Sequence, residues 1–228
     1  MQTIEFISLG GNCSVAYQLH KRGLRDVGFP FDWSKSTMNQ LISSLEDNLE
    51  TYVSSLEISE FSNRHPYIKF SGPPIPGMNN KALLEQGTYK CRNDYGITMS
   101  HELVVKNDFS TLKEKLSRRV LRFLDLKNSN KDILNFIRLE MKVVSVECYI
   151  PKLIRLIISL IEITGNKKIK LSLIFHTLNS SIVEYISTNK ILKDLMTNNS
   201  VEIDCHFYNN FSSDWTMNHI DWNTIFMN

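Results

Sequence analysis

The chain has 228 residues, of which 42% are hydrophobic and 22% are charged. These fractions are typical of a globular protein with a buried core, and they exclude a disordered chain, a coiled coil and a collagen-like repeat. With 26 basic and 24 acidic residues, the net charge of +2 does not favour nucleic acid or an anionic membrane as a partner. The length fits one domain with an insertion or two small domains. Because the sequence has no internal repeat, low-complexity tract or Pro/Ser linker, we predict a single α/β domain over residues 1–228 with an irregular insertion at about 51–100.

The cysteines and the apolar stretches carry information about the compartment. The four cysteines lie far apart and form no CxxC pair, so we predict neither a zinc knuckle nor any other metal site. The N-terminal run has no basic segment followed by a long apolar one, and the most apolar stretch, Leu153–Ile163, is too short and too polar to span a bilayer. We therefore expect a cytoplasmic protein with free thiols and no membrane span.

The first half of the chain begins with a predicted strand, a tight loop and a helix. Ile4–Leu9 is rich in β-branched and aromatic residues and stops at a pair of glycines. The helical pattern that follows ends near Gly23, and Met38–Leu49 predicts a second helix. Because residues 51–100 are punctuated by proline and glycine, we predict an irregular stretch there, with one candidate strand at Tyr67–Phe70.

The second half of the chain alternates strands with helices, which predicts three layers: a mostly parallel central sheet with helices on both faces. The predicted helical segments are Leu112–Leu124, Tyr149–Ile163 and one or two helices within Ile182–Met196, followed by a short closing segment at Trp222–Phe226. The strands expected to share the sheet are Ile4–Leu9, Ile133–Ile137, Lys170–Phe175 and Val201–Phe207.

The segment Ser8-Leu-Gly-Gly-Asn-Cys-Ser14 is the strongest local signal for chemistry. In open α/β sheets, ligands bind beyond the carboxyl ends of the strands, where this loop is expected. Cys13 would stand at the first turn of a helix, whose unpaired N–H groups and dipole favour the thiolate. Gly11, Asn12 and Ser14 would surround a bound oxyanion or another anion. The alternative is a small buried cysteine without a chemical role.

A catalytic cysteine needs a base, and the residues alone leave several candidates open. Three histidines stand at predicted strand ends or beside carboxylates and are equal candidates: His101, His176 and His219. A third residue could orient the base, and the carboxylates considered for this role are Asp32, Glu102 and Asp214.

Several segments, taken in order, resemble a known family. They are Ser8–Leu19, Gly23–Arg25, Phe29-Pro-Phe-Asp-Trp33, Tyr95-Gly-Ile-Thr-Met-Ser-His-Glu102, Lys115–Leu124 and Ile133–Arg138. Over residues 4 to about 140 the pattern resembles the papain-like cysteine peptidases of the family DUF1796. The resemblance implies a nucleophile at Cys13 and a histidine partner at His101, and Glu102 stands where that family usually has Asp. It also gives a papain-like α+β arrangement as the alternative fold.

The loop is similar, in addition, to capsule-biosynthesis acetyltransferase-like proteins and to SGNH-type esterases. We therefore expect a cysteine-dependent hydrolase or acyl transferase that uses Cys13 and His101 on an amide, ester or thioester. The substrate could be a peptide, a glycan or an acyl compound. No bound cofactor is expected, and coenzyme A is a candidate acyl donor. The alternative is a catalytically silent module that holds an anion, a nucleotide or coenzyme A at the Gly-Gly-Asn-Cys loop.

Two further expectations concern exposure. A place at a helix N-terminus near an imidazole predicts a lowered pKa and high reactivity for Cys13, whereas Cys148 and Cys205 should be shielded and Cys91 exposed. Three arginines lie on the polar side of the Leu112–Leu124 helix, where a solvated face is favoured over contact with an anion: Arg118, Arg119 and Arg122.

Overall fold

The computed structural model describes residues 2–62, 88–103, 106–140, 145–165, 167–175, 181–208 and 216–227. The strands are β1 Ile4–Ser8, β2 Ser34–Lys35, β3 Glu57–Ser62, β4 Thr88–Arg92, β5 Thr98–Leu103, β6 Ile133–Glu140, β7 Lys168–Phe175 and β8 Val201–Phe207. The α-helices are α1 Ser14–Lys21, α2 Met38–Glu46, α3 Phe109–Leu124, α4 Val146–Thr164, α5 Ser181–Thr188, α6 Lys190–Asn198 and α7 Trp222–Met227.

The central sheet is parallel and contains the four predicted strands in the order β1-β6-β7-β8. Its register places Ile7 beside Phe136, Phe136 beside Leu171, and Leu171 beside Ile203. Strands β6 and β7 are buried almost throughout, which explains their near-continuous apolar sequences. The prediction of one largely parallel sheet is confirmed, and it decides for the α/β class over the α+β alternative.

Helices cover both faces of this sheet. Ile7, Leu134 and Leu171 point into the larger core, which also contains buried residues from α2 to α6. Phe6 and Ile137 point to the opposite face, where they join a second buried cluster supplied by α1 and α7 through Val15, Leu19, Trp222, Ile225 and Phe226. The three-layer prediction is therefore confirmed.

A second, antiparallel sheet has the strand order β2-β5-β4-β3. Two of its strands, β3 and β4, lie within residues 51–100, where an irregular stretch was expected, and β5 begins at the end of that stretch. The candidate strand at Tyr67–Phe70 lies outside the described residues. Cys91 and Met99 pair across β4 and β5 and belong to the larger core. This sheet therefore packs onto the parallel one through its own buried face.

Local capping explains where two helices begin. Thr37 and Gln40 form a capping box at the start of α2. The Gln40 N–H donates to the Thr37 hydroxyl oxygen at 3.3 Å, and the Thr37 N–H donates to the Gln40 side-chain oxygen at 2.8 Å. Helix α4 begins three residues before the predicted Tyr149 because the Ser145 hydroxyl accepts a hydrogen bond from the Cys148 N–H at 3.2 Å. The Ile182–Met196 segment contains two helices, α5 and α6.

Candidate active site

The loop that follows β1 is held so closely that it requires glycine. Gly10 and Gly11 have φ angles of +72° and +84°, in the left-handed region that L-residues rarely adopt. A Cβ at Gly11 would overlap the carbonyl group of Leu139 in β6, and one at Gly10 would lie 3.0 Å from the Ser34 Oγ. The loop therefore lies between the carboxyl end of β6 and the segment around β2.

Cys13 stands where the sequence predicted, at the N-cap position of α1. Its carbonyl oxygen accepts a hydrogen bond from the Tyr17 N–H at 3.1 Å, and its own N–H donates to the Asn12 Oδ1 at 2.6 Å. Ser14 is fully buried, and within the described residues its hydroxyl has no hydrogen-bond partner. The predicted group of Gly11, Asn12 and Ser14 thus surrounds the start of the helix.

The predicted lowering of the Cys13 pKa, by the helix N-terminus and a nearby imidazole, is wrong. Its side chain is only 1% exposed, and burial raises the pKa of the thiol to about 12. The charge of Lys35 in β2 lowers this pKa, and that of Glu102 in β5 raises it. The desolvation of a thiolate at this position outweighs the favourable end of the helix dipole, so the resting group is a neutral thiol.

Cys13 belongs to a small buried cluster of its own, together with Ala16, Tyr17 and Trp33. Trp33 is 4% exposed and has a φ of 61°, which is unusual for a bulky residue. It immediately precedes β2, which pairs with β5 through Ser34 and Met99. The cluster therefore joins the cysteine helix to the antiparallel sheet.

The backbone of His101 lies in β5, at an irregularity of the strand. Met99 pairs with Cys91 and Leu103 pairs with Tyr89, so residues 100–102 of β5 stand opposite Lys90 alone. Bulges of this kind redirect side chains and are common next to active sites. The His101 side chain lies outside the described part of the structure, as do His176 and Asp214. His219 is described, is exposed, and packs against Tyr208 on a cavity beside β8.

Two of the three candidate carboxylates, Glu102 and Asp32, are buried and act electrostatically on the Arg119 guanidinium. Glu102 receives hydrogen bonds of 2.9 and 3.1 Å from Arg119 and forms an ion pair of 2.8 Å with Lys115. Asp32 accepts a hydrogen bond from the Phe29 N–H at 2.7 Å and is paired with Arg25. Burial alone would lower the pKa of Arg119, but the charges of Glu102 and Asp32 raise it overall.

The predicted solvated face of α3 is correct only for Arg118, which is exposed. Arg119 is largely buried against Glu102, and Arg122 donates to the Gly28 carbonyl. The sequence pattern places these arginines correctly on the polar side of the helix. That side is covered because β5 and the loop before β2 pack against it.

Sequence reasoning missed Arg138, a fully buried arginine near the carboxyl end of β6. Its Nε donates to Glu140 Oε1 at 2.6 Å, and one terminal nitrogen donates to the Leu9 carbonyl at 2.8 Å. Its two terminal nitrogens also donate to the hydroxyl and the carbonyl of Ser36, at 3.3 and 2.9 Å. Arg138 therefore ties the start of the glycine loop to the segment that follows Lys35. A detectable signal was a charged pair, Arg138 and Glu140, ending an otherwise apolar strand.

Two of the other three cysteines, Cys148 and Cys91, contradict the exposure predictions. Cys148 is exposed, because the buried face of α4 passes through Val146, Tyr149 and Ile150 instead. Cys91, expected to be exposed, is fully buried and points into the core opposite Met99. Cys205 is half-buried, and burial raises its pKa to about 12.

The described residues contain neither a metal-binding cluster nor a membrane-spanning helix. Within those ranges, no three His, Cys, Asp or Glu side chains are grouped so that they could hold a metal ion. Among the helices described, none combines the length and the apolar character that crossing a membrane requires.

Comparisons with known proteins agree with the resemblance drawn from the loop and strand motifs. “Uncharacterized protein R408” of Acanthamoeba polyphaga mimivirus is 29% identical over 234 aligned residues, which cover 98% of this chain and 97% of that protein. No solved structure matches the chain. Residues 4–179 match the family described as “Putative papain-like cysteine peptidase (DUF1796)”, and this match includes the glycine loop, Cys13, β5 and β6. The chain belongs to the DUF1796 family.

Proposed function

We propose that the protein is a cysteine-dependent acyl-transfer enzyme, a hydrolase or transferase, with Cys13 as nucleophile and His101 as base. One observation carries the proposal. A loop that tolerates no side chain at Gly11 holds Cys13 at the N-cap of α1, at the carboxyl edge of the parallel sheet, within the electrostatic reach of β2 and β5. This is the edge at which α/β proteins bind their ligands.

The neutral resting thiol determines how the reaction would begin. Because the pKa of Cys13 is raised to about 12, no thiolate would be present before the substrate binds. His101 would therefore take the thiol proton at the same time as sulfur attacks the carbonyl carbon. The new C–S bond would create a tetrahedral oxyanion. Backbone N–H groups at the start of α1 and the Asn12 amide would donate hydrogen bonds to it.

Collapse of that intermediate would break the bond to the leaving group. The leaving amine, alcohol or thiol would receive the proton from the His101 imidazolium, and the acyl group would remain on sulfur as a thioester. In a hydrolase, His101 would then remove a proton from water, which attacks the thioester and releases a carboxylic acid and the Cys13 thiol. In a transferase, the hydroxyl or amine of an acceptor would replace that water.

The burial of Cys13 favours a second candidate from another class. A closed site with a neutral thiol also suits a silent module that binds an anion, a nucleotide or coenzyme A at the helix start. The fully buried Ser14 hydroxyl, which has no hydrogen-bond partner among the described residues, would then donate to the ligand.

Intact mass measurement after incubation with acetyl-coenzyme A or p-nitrophenyl acetate separates the two candidates. We expect an acetyl group on Cys13, seen as a mass increase that Cys13→Ala lacks and that forms about a hundredfold or more slowly in His101→Ala. His219→Ala is the matched control, because His219 is exposed and packs on Tyr208, and its adduct should form at the wild-type rate. Reversible coenzyme A binding that survives Cys13→Ala, without acetylation of Cys13, would support the silent module instead.

A further inference from the structure

The environment of the Cys13 sulfur is apolar and closed. Cys13, Ala16, Tyr17 and Trp33 form one cluster in which each side chain is 4% exposed or less. Within the described residues, a substrate that reaches the sulfur through this cluster takes the place of one of its members. Ala16 and Tyr17 belong to α1, whereas Trp33 lies in the turn before β2.

Trp33 is also the strained member of the cluster. Its φ of 61° places a bulky residue in the left-handed region, and such strain persists only where the surroundings enforce it. The surroundings here are tightly bonded on both sides. Asp32 is fixed by the Phe29 N–H, and the Ser34 hydroxyl donates to the Phe31 carbonyl at 2.8 Å.

The same turn contacts the glycine loop. A Cβ at Gly10 would lie 3.0 Å from the Ser34 Oγ and 3.3 Å from the Phe31 carbonyl oxygen, so the turn and the loop pack directly against each other. The backbone on both sides of Trp33 is thereby held in place. Strained residues held between rigid neighbours are typical of ligand clamps and switch regions.

We propose that Trp33 covers the Cys13 sulfur and determines which acyl groups reach it. The acyl group takes the place of the indole against Ala16 and Tyr17, and the substrate class is therefore an apolar acyl chain or ring. A charged acyl group would lose its hydration among these side chains, none of which carries an opposite charge. The inference rests on the proposed function, since it names the substrate class of the same site.

The first test measures access to the sulfur. Native protein is treated with iodoacetamide or with the bulkier iodoacetanilide, and alkylation of Cys13 is divided by that of the exposed Cys148 in the same molecule. Trp33→Gly is the principal variant, because glycine adopts φ 61° without strain and should keep the turn intact. The Cys13-to-Cys148 ratio should rise about tenfold or more, most of all for iodoacetanilide.

Two further variants make this result specific. Trp33→Phe keeps an aromatic ring and should give an intermediate ratio. Trp222→Ala removes an equally buried indole from the cluster on the other face of α1, and it should leave the ratio at the wild-type value. An unchanged ratio in Trp33→Gly, with native circular dichroism, would overturn the proposal.

A second arm separates failure of this inference from failure of the proposed function. Wild-type protein is incubated with the p-nitrophenyl esters of octanoate and of succinate, and acylation of Cys13 is again divided by that of Cys148. Octanoyl transfer should exceed succinyl transfer, and Trp33→Gly should reduce the difference. Preference for succinyl would overturn the inference while supporting the enzyme. If Trp33→Gly exposes Cys13 to alkylation but no ester acylates it, the proposed function is wrong and only the shielding role of Trp33 is retained.

Discussion

At the scale of single residues, the chemistry of Cys13 results from two opposed effects. The positive end of a helix dipole favours a thiolate by at most about 2 kcal/mol. Removing an ion from water costs several kcal/mol, and Cys13 is 1% exposed. Burial therefore outweighs the helix, and the pKa of the thiol is raised to about 12. Cys13 is therefore a protonated thiol in the resting site, and it needs both access to the substrate and a base to become nucleophilic.

The raised pKa predicts how folding stability depends on pH. The unfolded state loses the Cys13 proton near the ordinary pKa of 9.0, whereas the folded state loses it only near 12. The contribution of this thiol to the free energy of unfolding is therefore fully present below pH 9 and is lost as the pH rises from there. We expect Cys13→Ala to reduce this fall by up to about 1.4 kcal/mol for each pH unit above 9. Urea denaturation at pH 8, 9 and 10 measures it.

The matched control for this prediction is Cys148→Ala. Because Cys148 is already exposed in the folded protein, its removal should leave the pH dependence of unfolding as in the wild type. An identical fall in stability for wild type and Cys13→Ala would show that the Cys13 thiol is hydrated in the folded state.

Gly11 and Gly23 allow backbone strain to be separated from steric overlap. Both have positive φ, but a Cβ at Gly23 meets nothing within 4 Å, whereas one at Gly11 overlaps the Leu139 carbonyl. We expect Gly23→Ala to cost about 1–2 kcal/mol of unfolding free energy from strain alone. Gly11→Ala should cost about 2–5 kcal/mol, because β6 must also shift. Thermal or urea denaturation of the two variants gives the comparison, and equal costs would mean that the loop does not contact β6.

At the scale of elements, one buried ion pair joins three segments around the site. Arg138 of β6 bonds to Glu140, to the carbonyl group that precedes the glycine loop, and to Ser36 beyond β2. The glycine loop and the turn that contains Trp33 therefore share a common support. This explains why a charged residue is fully buried at the end of an apolar strand.

Removing the Arg138 guanidinium should lower the free energy of unfolding far more than removing an arginine from an exposed ion pair. Breaking a buried ion pair costs about 3–5 kcal/mol, and we expect this loss of unfolding free energy for Arg138→Met. Arg155→Met is the matched control. Its partner Glu46 and Arg155 itself are 40% and 52% exposed, so the expected cost is about 1 kcal/mol or less. Similar costs for the two variants in urea denaturation would contradict the buried anchor at β6.

At the scale of the whole molecule, the parallel sheet was predictable because its strands are buried on both faces. Segments such as Leu134–Ile137 and Leu171–Phe175 therefore read as nearly continuous apolar runs. The antiparallel sheet was not predictable in the same way. Strands β3 and β5 carry charged residues such as Glu57, Glu60 and Glu102, and their pairing depends on partners far away in the sequence.

The candidate site was predictable only in part, for the same reason. The strand, glycines and helix around Cys13 are consecutive in the chain, so their arrangement follows from local preferences. The burial of Cys13, the Glu102–Arg119 pair and the role of Arg138 arise where distant segments pack together. A pattern in one segment indicates which side of a helix is polar, but not whether another element covers that side.

The central claim is that Cys13 accepts acyl groups, and its most direct test compares acylation with alkylation in one sample. Donors to an oxyanion accelerate the first reaction only, because alkylation by iodoacetamide forms no tetrahedral oxyanion. The rate of acetylation by p-nitrophenyl acetate is divided by that of alkylation for Cys13 and for the exposed Cys148. We predict that this quotient is at least about a hundredfold larger for Cys13. A quotient for Cys13 equal to or below that of Cys148 would contradict the account.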